Sequence, residues 1–248
     1  MVQKRTVVSI LVPTWNERET LPLVVWHVHE ACTERHVDYE LVIVEDNSDD
    51  GSLQVAQKLQ GIYGSSRLVI VARKGRLGLY SALIDGLLKA TGDYIVVLPA
   101  NLTQHPKYIP DLVALQQATQ ADVVATSRFG DAHDGVCDWS FGQRLQCCVK
   151  TVLADLLFTL RLSDPTSSYR LYKRQVFAQL VQALGATRIA DSSCHLGLAF
   201  AVVAEAMHST VAEVPVTAMQ AAYSDKDDVA LASVGRFALH AIRLYLGQ

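Results

Sequence analysis

Polar and charged side chains gather in this chain at the places where an apolar run gives way to a turn. Pro13-Thr14-Trp15-Asn16-Glu17 follows the first such run. A turn of this kind, with a helix N-terminus and a sheltered carboxylate, can hold a nucleobase and ribose. Read alone, the segment is equally the start of a capped helix. Glu45-Asp46 closes the second run, where two carboxylates suit hydrogen bonds to ribose or base. In isolation the pair would be a solvated acidic turn. Lys74-Gly75-Arg76 follows the third run and Pro99-Ala100-Asn101 the fourth. Hard divalent cations prefer anionic oxygen ligands, whereas proline offers no side-chain ligand and asparagine only a neutral amide. Lys74, Arg76, Arg128, Arg170 and Lys226 are the basic side chains that could meet on this rim and stabilise a diphosphate without a metal.

The runs themselves read as strands. Val7–Val12 is apolar apart from Ser9 and mostly β-branched, the pattern of a strand buried on both faces and ended by Pro13. The helical spacing of Asn16–Glu34 predicts a helix with Asn16 as N-cap and Glu17 and Glu19 in its first turn. Strands are expected at Leu41–Val44, Leu68–Ala72 and Tyr94–Leu98, with helices at Ser52–Tyr63 and Gly78–Ala90 between them. Such alternation implies parallel strands, right-handed crossovers and helices on both faces. Ligands of these sheets bind outside the carboxyl ends of the strands, which places Pro13–Glu17, Glu45–Gly51, Ala72–Leu79 and Pro99–Thr103 on one rim. Further strands are expected at Asp122–Thr126, Tyr169–Tyr172 and Val211–Val216, a polar loop at 129–139, and helices at Leu145–Leu162 and Ala230–Leu246. With no linker, repeat or low-complexity stretch, residues 1–248 read as one α/β domain with a mostly parallel central sheet.

Composition narrows the function classes. A net charge of −3 over 248 residues gives no reason to expect nucleic acid, which calls for a basic face. Five cysteines without a CxxC pair favour reduced thiols over a disulfide framework. No apolar core of about 7–15 residues follows the first residues, and no uncharged apolar run reaches about 18, so neither a signal peptide nor a spanning segment is expected.

The segments taken together are more specific than any one of them. Pro13–Pro22, Tyr39–Gly51, Leu77–Gly92, His105-Pro106-Lys107, Ser127-Arg128, Trp139, Asp164, Ser168–Tyr172 and Glu213-Val214-Pro215 fall in one collinear series. The series resembles the inverting family-2 glycosyltransferases with the Rossmann-like GT-A fold, and among them the catalytic chains of dolichol-phosphate mannose synthases. The resemblance implies a nucleotide-binding half at 1–126 and an acceptor-side half at 127–248. It implies nucleotide contacts at Pro13, Thr14, Asn16, Glu17, Glu45, Asp46, Lys74 and Ala100. Arg128, Arg170 and Lys226 would lie on the acceptor-phosphate side, with Arg128 as the catalytic candidate of an active enzyme. GDP-mannose and dolichol phosphate would be the substrates and Mg²⁺ or Mn²⁺ the cofactor. Membrane-anchoring subunits or an active paralogue would be partners, at the cytosolic face of the endoplasmic reticulum membrane.

The chain departs from that pattern where the chemistry would lie. The family's Asp-Ala-Asp, which holds the cation, is Pro99-Ala100-Asn101, so no metal is expected here. Asp-Asp-Gly-Ser becomes Glu45-Asp46-Asn47-Ser48. An arginine that would meet the acceptor phosphate aligns with Cys148, and a Gln-x-Glu segment with Gly197-Leu198-Ala199. The closing Tyr-Gly-Glu-Ser-Lys loop is one residue shorter, as Tyr223-Ser224-Asp225-Lys226. These losses favour a catalytically impaired transferase. Two alternatives are an active one with a rearranged or metal-independent site, and a nucleotide-sugar sensor or interaction module. His105, His133 and His195 lack metal-ligand spacing and read as capping or loop residues. Cys147 and Cys148 lie on an amphipathic stretch, where packing is favoured over redox chemistry. The stretch Gln143–Leu162 fits a membrane surface or partner helix as well as a core helix.

Overall fold

The computed structural model describes residues 7–129, 140–185, 193–219, 235–239 and 241–242. Strands β1 (Val8–Thr14), β2 (Tyr39–Glu45), β3 (Leu68–Ala72), β4 (Tyr94–Val97), β5 (Val123–Ser127), β6 (Arg170–Lys173) and β7 (Val211–Pro215) form one sheet in the order β3-β2-β1-β4-β6-β5-β7. Strand β6 runs antiparallel to both its neighbours, and the other described strands share one direction. Their carboxyl ends therefore make a common rim.

Alternation along the strands builds two apolar layers. Ile10, Val12 and Ile43 face one side, where they pack with α1 (Leu21–Glu34), α2 (Ser52–Tyr63) and α4 (Ile109–Thr119). Leu11, Val42 and Val44 face the other, against α3 (Leu79–Lys89), α6 (Arg174–Leu184) and α7 (Ser193–Ala206). Helix α5 (Phe141–Phe158) stands outside this second layer and packs through Ala154 on Leu198, Phe237 and Ala241. Phe237 and Ala241 come from a short helical stretch at 235–239 and 241–242, the described part of the expected final helix. Among the described residues no helix is long and apolar enough to cross a membrane.

Two boundaries differ from expectation, each for a tertiary reason. Strand β1 continues through Pro13, which pairs in register with Val44. The Thr14 carbonyl faces β2, where it accepts from Asp46 N–H, so Pro13 faces the opposite side. There the last bond from the β4 side is Leu98 N–H to the Leu11 carbonyl, and the ladder stops where Pro13 has no N–H to continue it. Helix α1 begins at Leu21, with Pro22 in its first turn, not at Asn16. Asn16 is left-handed (φ 54°), and its neighbourhood is tied to the loop after β2. Asn16 N–H donates to Ser48 Oγ, Glu17 N–H to Ser52 Oγ and Arg18 N–H to Asp50 Oδ2. Glu17 and Glu19 therefore precede the helix, and neither lies in its first turn. Helix α5 starts four residues earlier than expected, at a capping box formed by Ser140 and Gln143.

Candidate functional site

Two clefts open at the rim. The first, of about 230 Å³, lies between the ends of β1 and β4 and the turn that follows β3. Pro13, Thr14, Glu17, Asp46 and Ala100 all line it, so these sequence-derived candidates are brought together. Trp15 lies at this cleft and is 41% exposed, with the Arg76 guanidinium stacked 3.5 Å from its ring centroid. Glu17 accepts a hydrogen bond from the Thr20 hydroxyl at 2.5 Å. Burial, reinforced by Asp50 and only partly offset by Thr20, pushes the Glu17 carboxyl above the usual glutamate range.

The other rim carboxylates are turned to the protein. Asp46 Oδ1 accepts from Arg73 Nη1 at 2.7 Å and Leu77 N–H at 2.9 Å, and Oδ2 from Gly78 N–H at 3.0 Å. Arg73 also meets Asp85 at 3.0 Å and the Ser81 hydroxyl at 2.6 Å. This buried pair pins the 73–78 turn that carries Arg76 to the cleft. Glu45 is buried and accepts from the N–H groups of Asn47 and Ser48 in its own loop. Asn16 is exposed and binds that loop, and Lys74 is exposed; neither lines a cleft. Glu45, Asn16 and Lys74, the remaining candidates for nucleotide contact, are thus not among the side chains that line the first cleft.

The second cleft, of about 250 Å³, lies between the rim and α5. Arg128 lines it, held by a bidentate bond to Asp164 at 2.6 and 2.8 Å and by Thr166 Oγ1 at 2.6 Å. Burial disfavours the charged guanidinium, but Asp164 outweighs it and holds Arg128 more firmly protonated than usual. Burial likewise opposes the Asp164 carboxylate, yet Arg128 and Thr166 hold its carboxyl below the ordinary range. Arg170, expected beside an acceptor phosphate, is instead fully buried. Its guanidinium donates to the carbonyls of Gly197 and Pro165, clasping α7 to the 164–165 loop. A Cβ at Gly197 would stand 2.8 Å from the Thr166 and Ser167 carbonyl oxygens, so a larger side chain does not fit there. Lys226, Trp139 and His133 lie outside the described residues, as does most of the 129–139 loop.

Pro99, Asn101 and Ser168 line both clefts and form the wall between them. Asn101 Oδ1 is taken by the Thr103 N–H at 3.2 Å and hydroxyl at 2.8 Å. Among the described residues no group of three His, Cys, Asp or Glu side chains is placed to hold a metal ion. His105 caps the 3₁₀ turn at Pro106–Tyr108 by accepting from Lys107 N–H. His195 is buried, stacked 5.7 Å from Phe237. Burial pushes the Cys147 thiol up, against a smaller opposing effect of Arg128.

Sequence reasoning missed Arg73 and Lys150. Nothing local marks Arg73 as buried. Lys150 had a signal, since Gln143, Gln146, Cys147 and Lys150 repeat at helical spacing on an otherwise apolar stretch.

The model of glycosyl transferase family 2 matches residues 9–181. An undecaprenyl-phosphate 4-deoxy-4-formamido-L-arabinose transferase of Proteus mirabilis is 32% identical over 126 residues, 51% of this chain and 38% of that protein. The enzyme of that name from Pseudomonas fluorescens is 35% identical over 121 residues, 49% and 35% of the two chains. These matches thus span about half of this chain and little more than a third of those relatives. Glucosyl-3-phosphoglycerate synthase of Mycobacterium tuberculosis superposes with a TM-score of 0.63 at 19% identity, covering 98% of this chain and 81% of that one. A Pyrobaculum calidifontis mannosyltransferase in complex with GDP-Man and Mn²⁺ gives 0.59 at 18% identity, covering 90% and 59%. The structural likenesses establish a shared GT-A fold.

Proposed function

The chain belongs to glycosyl transferase family 2, and from that premise we propose that it is a polyprenyl-phosphate-sugar transferase homologue with impaired transfer chemistry. It holds a nucleoside-diphosphate sugar, GDP-mannose by the motif resemblance, in the cleft beside Trp15. A polyprenyl phosphate, dolichol phosphate in the closest reading, is the acceptor class to which the second cleft corresponds. The named activity of the bacterial relatives, on undecaprenyl phosphate, supports that acceptor class.

One observation carries the impairment: Pro99 and Asn101, at the family's metal-ligand positions, stand in the wall shared by the two clefts. Structural neighbours are described with Mn²⁺ and nucleotide sugar together. The donor set here does not fit such an ion. Pro99 has no side-chain ligand atom, the Asn101 oxygen is engaged by Thr103, both oxygens of Asp46 are taken, and Glu17 is left as a single carboxylate in the lining. Each 1.4 kcal/mol of lost stabilisation of the departing diphosphate slows transfer about tenfold.

Calorimetric titration with GDP-mannose, with and without Mn²⁺, tests the reading beside an assay of mannosyl transfer to dolichol phosphate. Binding that is indifferent to Mn²⁺, with no transfer above background, is the expected result. Tightening by Mn²⁺ or clear turnover overturns it, and failure to bind any nucleotide sugar would leave an interaction module.

A second reading rests on Arg76, which brings a guanidinium to the first cleft and could do part of a metal's electrostatic work in an active, metal-independent enzyme. For either reading, association with a membrane-anchored partner or an active paralogue at the endoplasmic reticulum membrane would use the outer face of α5. Phe141, Leu145, Val149, Val152 and Leu156 are exposed there along one stripe.

A further inference from the structure

Helix α5 presents two unlike faces. Its outer face carries the exposed apolar stripe and the exposed Cys148. Its inner face sends Gln143, Gln146, Cys147 and Lys150, at i, i+3, i+4 and i+7, to the second cleft. The position that the family pattern assigns to an acceptor-binding arginine, 148, is thus on the wrong side of the helix. Two residues on, Lys150 is on the right side.

The charge inventory of this cleft is one-sided. Among the described residues no carboxylate lines it. Of its two cations, Arg128 is matched by Asp164. Lys150 has no carboxylate within ion-pair distance among the described residues, and its ammonium sits 5.9 Å over the Phe237 ring. Gln143 gives its amide oxygen to the Ser140 N–H in the capping box, so what remains to offer is its amide N–H. Ser168 adds a hydroxyl from the opposite wall. The Cys147 thiol, raised by burial, stays neutral and adds no negative charge. An ammonium with no carboxylate partner among the described residues, and hydrogen-bond donors beside it, favours an anion, and several donors set apart in space favour a group with several equivalent oxygens.

We propose that the second cleft binds a phosphomonoester, with Lys150 as its principal ionic partner. Equating this group with the phosphate of the sugar acceptor rests on the function proposed above; the anion site itself rests on the composition of the cleft. The phosphate could belong to a polyprenyl chain or to a small soluble acceptor, and the chemistry at Lys150 is the same.

The test is calorimetry on the full chain with farnesyl phosphate in detergent micelles and with 3-phosphoglycerate, using farnesol and glycerate as controls. Lys150→Gln should weaken phosphomonoester binding about 10- to 100-fold, the range of a charge-assisted hydrogen bond, and Lys150→Arg should retain it within a few-fold. Added salt should weaken binding to the native chain. Preference for farnesyl phosphate assigns a lipid source and preference for 3-phosphoglycerate a soluble one, and both support the site. Equal binding of farnesyl phosphate and farnesol, no binding of either phosphate, or an unchanged affinity in a folded Lys150→Gln chain overturns it. A thermal melt of each variant establishes folding; should Lys150→Gln not fold, loss of salt dependence in Lys150→Met decides, and native-like salt dependence there refutes the role. GDP-mannose titrated separately reports on the first cleft, so failure of the nucleotide reading and failure of the phosphate site are distinguishable.

Discussion

Arg128→Ala should act first on stability. Asp164 is fully buried and takes two hydrogen bonds from the Arg128 side chain, at 2.6 and 2.8 Å. Removing one partner of a buried ion pair strands the other, at a cost of about 3–5 kcal/mol. Here Thr166 Oγ1 at 2.9 Å and the residue-128 N–H at 3.3 Å remain on the carboxylate, which argues for the lower end. About 3 kcal/mol in a domain of this size lowers Tm by roughly 6–12 °C. The pH dependence follows from the direction of the Asp164 shift. A carboxyl held below its ordinary value stabilises the fold above that value, and the contribution is lost as pH falls through the depressed one. Without Arg128 the burial effect dominates, Asp164 takes up a proton more readily, and the stranded charge disappears in mild acid. The Tm gap between native chain and variant should therefore be widest near neutrality and narrow toward about pH 4. Melts followed by circular dichroism across that range decide the matter. A variant that melts within about 2 °C of the native chain at neutral pH, or a gap indifferent to pH, refutes the reasoning. A lost activity in Arg128→Ala is evidence for phosphate contact only if this melt is intact.

Four further outcomes are expected. Pro99→Asp combined with Asn101→Asp places two carboxylates on the wall between the clefts, and Mn²⁺ should then tighten GDP-mannose binding about tenfold or more by calorimetry. Leu156→Glu, at a position 79% exposed, should change stability by less than about 0.5 kcal/mol while releasing the chain from a membrane-anchored partner in fractionation. Leu157→Glu, one residue on and packed against the Ala154–Phe237 cluster, should instead lower Tm sharply. Gly197→Ala pushes a methyl to 2.8 Å from two carbonyl oxygens; a loss of about 1–3 kcal/mol in denaturant melts is expected.

The strands were legible because their signal is local. Largely apolar runs bounded by turns marked the first five described strands and shorter, mixed segments the last two, all within one or two residues, and Ser52–Tyr63 emerged with the bounds read from its spacing. The start of α1 was not legible, because Asn16 looks like a cap in sequence and becomes one end of a tether only when the loop after β2 folds beside it. Neighbouring carboxylates show the same limit. The alternation that sends Ile43 to one layer and Val44 to the other also separates Glu45 from Asp46. That much was in the sequence. What satisfies each of them, two loop amides for Glu45 and a buried arginine for Asp46, was not, since Arg73 carries no local mark of burial. On α5 the helical period already divided cleft face from outer face, so Lys150 could have been picked over Cys148 by geometry alone.

The distribution of charge bears on what the proposed metal-free site would require. A cluster of carboxylates built for a metal repels itself when the ion is absent. In this chain Asp46 is neutralised by Arg73 and Asp164 by Arg128, while Glu45 and Asp50 are satisfied by N–H groups of the same loop or of residue 18. The wall where the ion would sit is neutral. The fold is therefore self-consistent without ligand, and whatever enters must be balanced by side chains that face the clefts. Arg76 stands at the first and Lys150 at the second, on opposite sides of Pro99 and Asn101. Two anionic ligands would then each be held by a separate side-chain cation, with no shared ion to couple their binding. Occupancy of one cleft should leave affinity at the other nearly unchanged, whereas a shared metal would make the two sites cooperative.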